Sequence, residues 1–350
     1  MDKKLNDIKD LLVIPESLNN FELSFRNSKE WDLCLSKTNY QPYLYTNFNI
    51  DFAFEIIYSK HKIAKDLSLI VKNQNKCIAI LPMFVFHNHE SYIIGFSDHK
   101  ILPPLFVEGV SKKIKKQTIE IIINFLDEIK EKLNVKSLEF IDNKLPSSSI
   151  SEWHKTIVNK KYESNVVREA FVNLNYDLSQ IKSLIRKSYK SLISKGEKLW
   201  DVQTSFSVSK KTWNEFKKLH LKAAGRQTRS DKSWEMLEQG LKNKELFFIY
   251  CLNNEKKMVG GSLFFLSRNE AYYGIAAYDR ELFENPIGHV IQYRAIHEFK
   301  KMNLSWYRLG RVPYASDYSK PSEKEINIGR FKNGFSTDIF PEFIMVKSKK

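Results

Sequence analysis

The two halves of the chain repeat one succession of hydrophobic patterns. In the first half, short runs of alternating or continuous apolar residues predict three strands, which a helix and one more strand follow. These elements cover residues 67–71, 76–86, 91–96, 112–133 and 136–142. The helix carries an apolar stripe that includes Ile121, Phe125 and Ile129, so we expect that face to pack against the strands.

The second half repeats the order with three strands, a helix and a strand, over residues 245–252, 257–267, 270–279, 287–302 and 304–310. Between the two sets lies KLPSSSISEW at 144–153, whose proline and serines are typical of a linker or a long loop. The repetition predicts an α/β protein with two domains of one architecture, over residues 1–165 and 166–350. A chain of 350 residues also favours two domains over one.

A basic helix is predicted near the start of the second domain. Residues Tyr176–Gly196 have the apolar spacing of one amphipathic helix, and Gly196 is a suitable residue to end it. Lys182, Arg186 and Lys190 lie four residues apart on a second face of this helix. That face either lines a groove or is simply solvated.

The stretch AAGRQTRSDKSW at 223–234 interrupts two further helical runs. Gly225 is expected to break the helix so that the backbone can turn. Arg226 and Arg229 would then point their guanidinium groups into the cleft between the domains, where Thr228 adds a hydroxyl donor. The alternative is a structural turn whose arginines pair with nearby carboxylates.

Charge adds a second line of inference. The formal net charge is +15 and the isoelectric point is about 9.4, which fits RNA, a nucleotide-linked substrate or an anionic membrane surface as a partner. The alternative is a base bias in the genome that inflates lysine. Arginine is more selective: only 11 of the 56 basic residues are Arg, and ten of these lie at or after Arg168. A shaped anion site is therefore expected in the second half.

Cysteine and histidine do not indicate a metal site. Cys34, Cys77 and Cys251 are widely spaced and form no CxxC, so we expect a reducing compartment, no disulfide framework and no structural zinc. His87 and His89 fall in a predicted hairpin turn, without the carboxylate or cysteine pattern that metal binding needs.

Other classes of protein lack their usual motifs. No apolar run approaches the roughly 18 residues of a membrane helix, and the first residues do not have the pattern of a signal peptide, so a cytoplasmic protein is expected. The chain contains no G-x-S-x-G, Walker A, H-E-x-x-H or G-x-G-x-x-G motif. Hydrolase, NTPase, metalloprotease and Rossmann oxidoreductase functions are therefore not supported.

A second candidate anion site lies where the strand at 270–279 leads into the following helix. Asn285 is a plausible N-cap, with proline after it at the first helical position. Gly288 leaves the first turn bare, and His289 would face an anion bound there. The alternative is a structural helix start, with Gly288 relieving crowding against the sheet.

These segments together resemble the FemAB-like branch of the GNAT acyltransferase superfamily. Members carry an aromatic-Tyr-Gly strand, a helix that begins near a proline, a strand that ends in Leu-Gly and a late Phe-Lys-x-Gly-Phe. The corresponding residues here are Tyr272–Gly274, Pro286, Leu309–Gly310 and Phe331–Phe335. The clear similarity covers about residues 165 to 340, and the first half is similar mainly in its order of elements.

The resemblance implies two tandem GNAT-like domains and transfer of an acyl or aminoacyl group to an amine. The first hypothesis is an N-acyltransferase that uses acyl-CoA and acts on an amino-sugar nucleotide or a related cell-envelope precursor. The second is an aminoacyltransferase that uses aminoacyl-tRNA and a peptidoglycan precursor. The pyrophosphate loop of GNAT enzymes is incomplete, and no long coiled-coil arm is present, so the donor stays open. A third hypothesis is a non-catalytic RNA-binding protein.

The resemblance also implies roles for individual residues, without a metal. Lys332 would stabilise the oxyanion or contact the donor, and Asp279 would orient or deprotonate the amine, unless it only starts a turn. Arg226 and Arg229 would bind a phosphate or carboxylate of the acceptor, and Thr228 would add a hydroxyl donor. Arg186 and Arg311 would form the edges of the same substrate groove, and Tyr273 would also contact the substrate. Asn285, Gly288 and His289 would contact the co-substrate. A lipid-linked acceptor would bring the protein to an anionic membrane surface.

Overall fold

The computed structural model of the protein describes residues 18, 20–96, 99–142, 146 and 150–347. The chain divides into unit 1, which runs up to Val166 and resumes at Glu342, and unit 2, which is Val167–Pro341. The division after Val166 is one residue from the predicted domain boundary, whereas the C-terminal segment groups with the first unit. The N-terminal residues 1–17 and much of the predicted linker at 144–153 lie outside the described residues.

Unit 1 contains short, mostly antiparallel strands and several helices. The helices are α1 (Ser28–Ser36), α2 (Asn47–His61), α3 (Lys112–Leu133) and α4 (Glu152–Asn159), and the strands are β1 (Phe21–Phe25), β2 (Ala64–Asp66), β3 (Leu69–Asn73), β4 (Lys76–Leu81), β5 (Phe84–His87), β6 (Tyr92–Gly95), β7 (Leu105–Phe106) and β8 (Phe140–Asp142). One sheet has the order β1-β3-β4-β7 and a second has the order β2-β5-β6. The unit division falls within β9 (Tyr162–Asn173) and β15 (Asp338–Lys347), and the end of β15 pairs with β8.

The predicted strand over 76–86 is wrong in one respect, because it is two strands that belong to two sheets. Pro82 lies between β4 and β5, and proline has no N–H group with which to continue a ladder. The predicted helix is α3, with the expected bounds. The Ser111 side chain accepts a hydrogen bond from the Ile114 N–H at its start, and Asn134 takes the left-handed conformation at its end.

Cys34 and Cys77 form a disulfide that joins α1 to β4. The expectation that the chain has no disulfide is therefore wrong. The two cysteines are 43 residues apart in sequence, but the packing of α1 on β4 brings their Cα atoms to 5.9 Å, within the range that a disulfide spans. Cys251 is a free, buried thiol.

Unit 2 is a mixed sheet with helices on both faces. Its further elements are α5 (Leu178–Leu184), α6 (Lys187–Leu199), β10 (Asp201–Ser205), α7 (Lys210–Ala224), α8 (Asp231–Lys242), β11 (Leu246–Leu252), β12 (Met258–Leu266), β13 (Glu270–Tyr278), α9 (Ile287–Lys301), β14 (Trp306–Arg311) and α10 (Glu323–Asn333). The strand order is β10-β11-β12-β13-β14-β9. In the described chain, no helix is both long and apolar enough to cross a bilayer.

Two adjacent glycines of β12 mark the two faces. A β-carbon on Gly260 would lie 2.4 Å from Ile287 of α9, whereas one on Gly261 would lie 3.1 Å from Phe216 of α7. Because successive residues of a strand face opposite sides, α9 and α7 cover opposite faces of the sheet. The core beneath α9 includes Phe264 and Phe299, both fully buried.

Strands β13 and β14 pair in parallel only at their first residues. The ladder covers Glu270–Tyr272 and Trp306–Arg308. Beyond it the register of β14 with β9 shifts between Arg308 and Gly310, whose φ of 101° favours glycine, while β13 continues to Tyr278. The C-terminal halves of the two strands therefore have no hydrogen bonds to each other, and the candidate site lies at this point.

A β-bulge in β13 changes which side chains share a face. Leu263 pairs with Ile275, and the next residue of β12 pairs with Tyr273, so Gly274 is the extra residue. Tyr273 and Tyr278 are five positions apart and would face opposite sides of a regular strand. The extra residue brings them to the same side, where their hydroxyl oxygens are 2.8 Å apart.

The predicted basic helix over Tyr176–Gly196 is wrong in two respects. It is two helices, α5 and α6, because Ile185 and Arg186 have extended backbone angles. Gly196 does not end α6 but lies within it, where a β-carbon would approach Val290 of α9 to 3.0 Å. The glycine therefore allows α6 and α9 to pack closely.

The helix break predicted at Gly225 is present in the structure. Helix α7 ends at Ala224, and Gly225 follows with φ of 71° while its N–H donates to the Leu221 carbonyl. The next helix begins after Ser230, whose side chain accepts a hydrogen bond from the Ser233 N–H. The stretch at 225–230 is thus a turn between two capped helices.

Candidate active site

An open pocket of about 820 Å³ lies in unit 2 beside the end of β13 and the first turn of α9. Most of its lining is aromatic or aliphatic, and we call it the aromatic pocket. It is lined by Tyr273, Tyr278, Phe283, Asn285, Ile287, Gly288, His289, Glu323, Lys324, Asn327, Ile328 and Phe331. Within the described residues, no group of three or more His, Cys, Asp or Glu side chains could hold a metal ion.

Three hydroxyl groups form a chain of hydrogen bonds on the inner wall of the aromatic pocket. The Tyr278 hydroxyl is 2.8 Å from that of Tyr273 and 3.0 Å from that of Ser262, which is fully buried. Burial, and then the neighbouring Tyr273, raise the pKa of Tyr278 well above that of an exposed tyrosine. These hydroxyls therefore stay protonated and satisfy one another.

Lys332 lies beside this wall, in the last turn of α10. Its Nζ is 5.9 Å from the centre of the Tyr273 ring, and a β-carbon on Gly310 would approach it to 2.7 Å. Burial lowers the pKa of Lys332; Glu169 raises it and Arg311 lowers it further. In the described part of the chain the ammonium group has no hydrogen bond and no ion pair, so its charge is not neutralised at short range.

Glu169 forms an ion pair with Arg308 and not with Lys332. Its carboxylate accepts a hydrogen bond from Nε of Arg308, and both side chains are buried. The Arg308 guanidinium also lies 5.4 Å from the centre of the Phe171 ring. Glu169 thus favours the charged form of Lys332 from a distance without pairing with it.

His289 is enclosed by aromatic rings. Its ring centre is 4.5 Å from that of Tyr189 and 5.2 Å from that of Phe331, both in edge-on geometry, and 6.0 Å from that of Phe335. Burial lowers the pKa of His289 to about 4, so the imidazole is neutral at pH 7. It contributes no positive charge to the aromatic pocket.

Arg226 and Thr228 line a different pocket of unit 2, of about 390 Å³, which we call the Arg226 pocket. Its lining combines three basic side chains with other polar and apolar ones, and consists of Asn214, Lys217, Lys218, His220, Leu221, Arg226, Gln227, Thr228, Asp231 and Trp234. Arg226 is exposed and makes no hydrogen bond or ion pair with the described residues. Arg229 does not line this pocket; it is half-buried, and burial lowers its pKa.

Asp279 caps a short turn. Its carboxylate accepts a hydrogen bond from the Glu281 N–H at 3.2 Å and pairs with Lys222 at 3.2 Å. Lys222 also pairs with Glu281 at 2.8 Å. These pairs join the end of α7 to the 3₁₀ turn Arg280–Leu282, which precedes Phe283 at the rim of the aromatic pocket.

The helix start after this turn differs from the prediction. Pro286, and not Asn285, is the N-cap of α9, because the Pro286 carbonyl accepts the first intrahelical hydrogen bond, from the Val290 N–H at 3.2 Å. The first turn is not bare, since a β-carbon on Gly288 would lie 3.1 Å from the Phe331 ring.

The two remaining predicted arginines lie close to α10. Arg186 donates to the Tyr189 hydroxyl at 3.2 Å and to the Arg330 carbonyl at 3.3 Å. Arg311 is the last residue of β14 and is half-buried near enough to Lys332 to lower its pKa. Both are thus neighbours of the Phe331–Lys332 segment. Arg186 binds the backbone of α10 and does not line the aromatic pocket.

Three polar residues that surround this site were not predicted from the sequence. Tyr278 is on the pocket wall only because of the bulge. Gln292 is fully buried on the inner face of α9, where it accepts from Tyr307 and its amide nitrogen has no partner among the described residues. Glu169 is a buried carboxylate in a strand. A polar residue on the apolar face of an element was the available signal for Gln292 and Glu169.

Two α/β units whose sheets are flanked by helices, with a mixed sheet in unit 2, make up the two-domain fold of FemAB-like and tandem GNAT proteins. No protein-family model matches the chain, and no curated protein does either. Solved structures match over nearly its whole length. The predicted fold class and the predicted resemblance are confirmed at the level of the fold.

Three of these structures define the similarity. FemX aligns with a TM-score of 0.66 at 11% identity, covering 92% of this chain and 96% of FemX. L-PGS from Bacillus licheniformis has a TM-score of 0.53 at 11% identity, covering 78% and 82%. A tandem GNAT protein from the clavulanic acid biosynthesis pathway, solved without AcCoA, has a TM-score of 0.50 at 8% identity, covering 93% and 97%.

Proposed function

We propose that the protein transfers an acyl group to an amine, with the reaction at the aromatic pocket of unit 2. The observation that carries this proposal is Lys332, a half-buried ammonium group that has no hydrogen bond or ion pair with the described residues and lies beside the Tyr273 ring. The protonated form of a lysine without a short-range counter-charge can stabilise negative charge that develops on a substrate. The fold similarity to FemX and to a tandem GNAT protein supports the same chemistry.

In the proposed reaction, the nitrogen of the amine attacks the carbonyl carbon of a donor thioester. The C–N bond forms and the C–S bond breaks through a tetrahedral oxyanion, which Lys332 stabilises. The amine gives its proton to water or to a base, and the departing thiolate takes up a proton to become a free thiol. Asp279 was a candidate for that base; since its carboxylate is bonded to Lys222 and to the Glu281 N–H, we assign it to holding the rim.

We infer that the donor is acyl-CoA and the acceptor a nucleotide-linked amine, such as an amino-sugar nucleotide of the cell envelope. The Arg226 pocket supports a phosphate-bearing ligand, because the guanidinium of Arg226 is uncommitted and Thr228 adds a hydroxyl. An aminoacyl-tRNA donor is the alternative, and the FemX-like fold is compatible with it.

The first test is replacement of the lysine. We expect Lys332→Met to lower turnover by about 100-fold or more while donor binding is retained, since the charge acts on the oxyanion. Lys198→Met, an exposed lysine of α6, is the control and should keep full turnover. Normal turnover in Lys332→Met would remove the proposal.

The second test distinguishes the donors. Calorimetry compares acetyl-CoA, charged tRNA and uncharged tRNA at low and moderate salt. CoA binding that survives moderate salt supports an acyl-CoA donor, and a preference for charged tRNA supports the alternative. Equal and steeply salt-dependent binding of both tRNAs would reflect only the net charge of +15.

A further inference from the structure

We infer that the aromatic pocket binds the acyl chain of the donor and that this chain is apolar and about eight to ten carbons long. The inference rests on the proposed acyl transfer and adds the class of acyl group to it. Its evidence is the chemistry of the lining, the size of the pocket and the length of α10.

The apolar surface of the lining is much larger than its polar surface. The hydroxyls of Tyr273 and Tyr278 are bonded to each other, and His289 is neutral and has no hydrogen bond with the described residues. Glu323 and Lys324 carry opposite charges that sum to zero. Asn285 and Asn327 are the other polar side chains of the lining, and most of the remaining wall is aliphatic or aromatic carbon, which favours an apolar ligand.

The pocket is also larger than a two-carbon acetyl group requires. A cavity of about 150 Å³ is enough to hold a benzene molecule. A pocket of about 820 Å³ therefore has room for a chain of many carbons, even though part of its volume is open to solvent. An acetyl group would leave most of the apolar wall in contact with water.

Helix α10 provides a scale for the length of the chain. Lys332, Ile328 and Lys324 follow one another at four-residue spacing, so they lie along one side of the helix. Eight residues of α-helix span about 12 Å. With its carbonyl beside Lys332, an extended chain of eight to ten carbons, at roughly 1.3 Å per bond, would run past Ile328 and end near the charge of Lys324.

The rim carries exposed apolar side chains that such a chain would cover. Phe283 is 66% exposed and Ile328 is 45% exposed. Both line the aromatic pocket. An exposed apolar cluster around a concave site is typical of a binding surface for an apolar ligand.

The experiment measures the binding of acyl-CoA with saturated chains of two to twelve carbons by calorimetry, below the concentration at which the longer ones form micelles. We expect the affinity to rise three- to fourfold per methylene, which corresponds to about 0.8 kcal/mol, and to level off near eight to ten carbons. Ile328→Asp should abolish the rise. Leu184→Asp is the matched control, since Leu184 is 49% exposed on α5 and does not line the pocket.

Two outcomes would overturn the inference. One is equal affinity for acetyl-CoA and octanoyl-CoA, and the other is a rise with chain length that Ile328→Asp leaves intact, which would mean that the chain binds elsewhere. Neither affects the proposed transfer, which stands or falls on turnover in Lys332→Met. Conversely, the affinity could depend on chain length and lose that dependence in Ile328→Asp, while turnover in Lys332→Met stays normal. This result would support the binding site for the acyl chain and refute the role assigned to Lys332.

Discussion

Replacing Tyr278 by phenylalanine removes the central hydroxyl from the hydrogen-bond chain that the β13 bulge creates. The hydroxyl is bonded to Tyr273 at 2.8 Å and to the fully buried Ser262 at 3.0 Å. Each such bond contributes about 1 kcal/mol net, so we expect Tyr278→Phe to lower the free energy of unfolding by about 2 kcal/mol. For a unit of this size, that corresponds to a fall in Tm of about 4–8 °C.

Urea and thermal unfolding measure this loss, with Tyr293→Phe as the control. Tyr293 is a half-buried tyrosine of α9 whose hydroxyl has no hydrogen bond with the described residues, so its loss should cost less than about 0.5 kcal/mol. In a double-mutant cycle, Ser262→Ala and Tyr278→Phe should couple by about 1 kcal/mol. Equal losses in the two Phe variants, or a coupling near zero, would refute the shared face that we attribute to the bulge.

Three further predictions concern pH, redox state and a turn. Burial holds the folded-state pKa of His289 near 4, below the unfolded value of about 6.5, so the unfolded chain takes up the proton first as the pH drops. The free energy of unfolding should therefore fall between pH 6.5 and pH 4. Urea midpoints should show a smaller fall over this range in His289→Asn than in His89→Asn, the exposed control. Reduction of the Cys34–Cys77 disulfide opens a cross-link across 43 residues. Dithiothreitol should therefore lower the free energy of unfolding by up to about 4 kcal/mol. An unchanged thermal transition would contradict the disulfide. A β-carbon on Gly225 would meet no neighbouring atom, but the backbone φ of 71° is unfavourable for alanine. We therefore expect Gly225→Ala to lower the free energy of unfolding in urea by about 1 kcal/mol, and Gly225→Asn to lower it by less. An unchanged free energy of unfolding in Gly225→Ala would contradict the left-handed helix cap.

The regular elements of unit 2 could be predicted because their periodicity is local. Helix α9 and strands β11 and β12 lie within a residue or two of their predicted bounds, since apolar spacing reports directly which face of each element is buried. The prediction failed where one pattern covered two elements. The apolar spacing of Tyr176–Gly196 is continuous, but the backbone is extended at Ile185 and Arg186.

The candidate site could be predicted in part. Tyr273 and Lys332 were found through the family resemblance, and the structure brings Lys332 to within 5.9 Å of the Tyr273 ring. Tyr278 was missed because simple alternation assigns it to the other face. Arg226 was predicted to bind an acceptor phosphate or carboxylate, and it lines a different pocket of unit 2 from the one that Lys332 adjoins.

The sequence by itself determined the α/β class, the order of most strands and helices and the turn at Gly225, because each depends on the residues beside it. Only the tertiary structure decided that Cys34 meets Cys77, that Gly196 packs against α9, and that Lys332 lies half-buried beside the Tyr273 ring. These outcomes depend on distances between residues that are remote in sequence. Such distances are set by the packing of whole elements, which the local pattern of hydrophobic and polar positions does not contain.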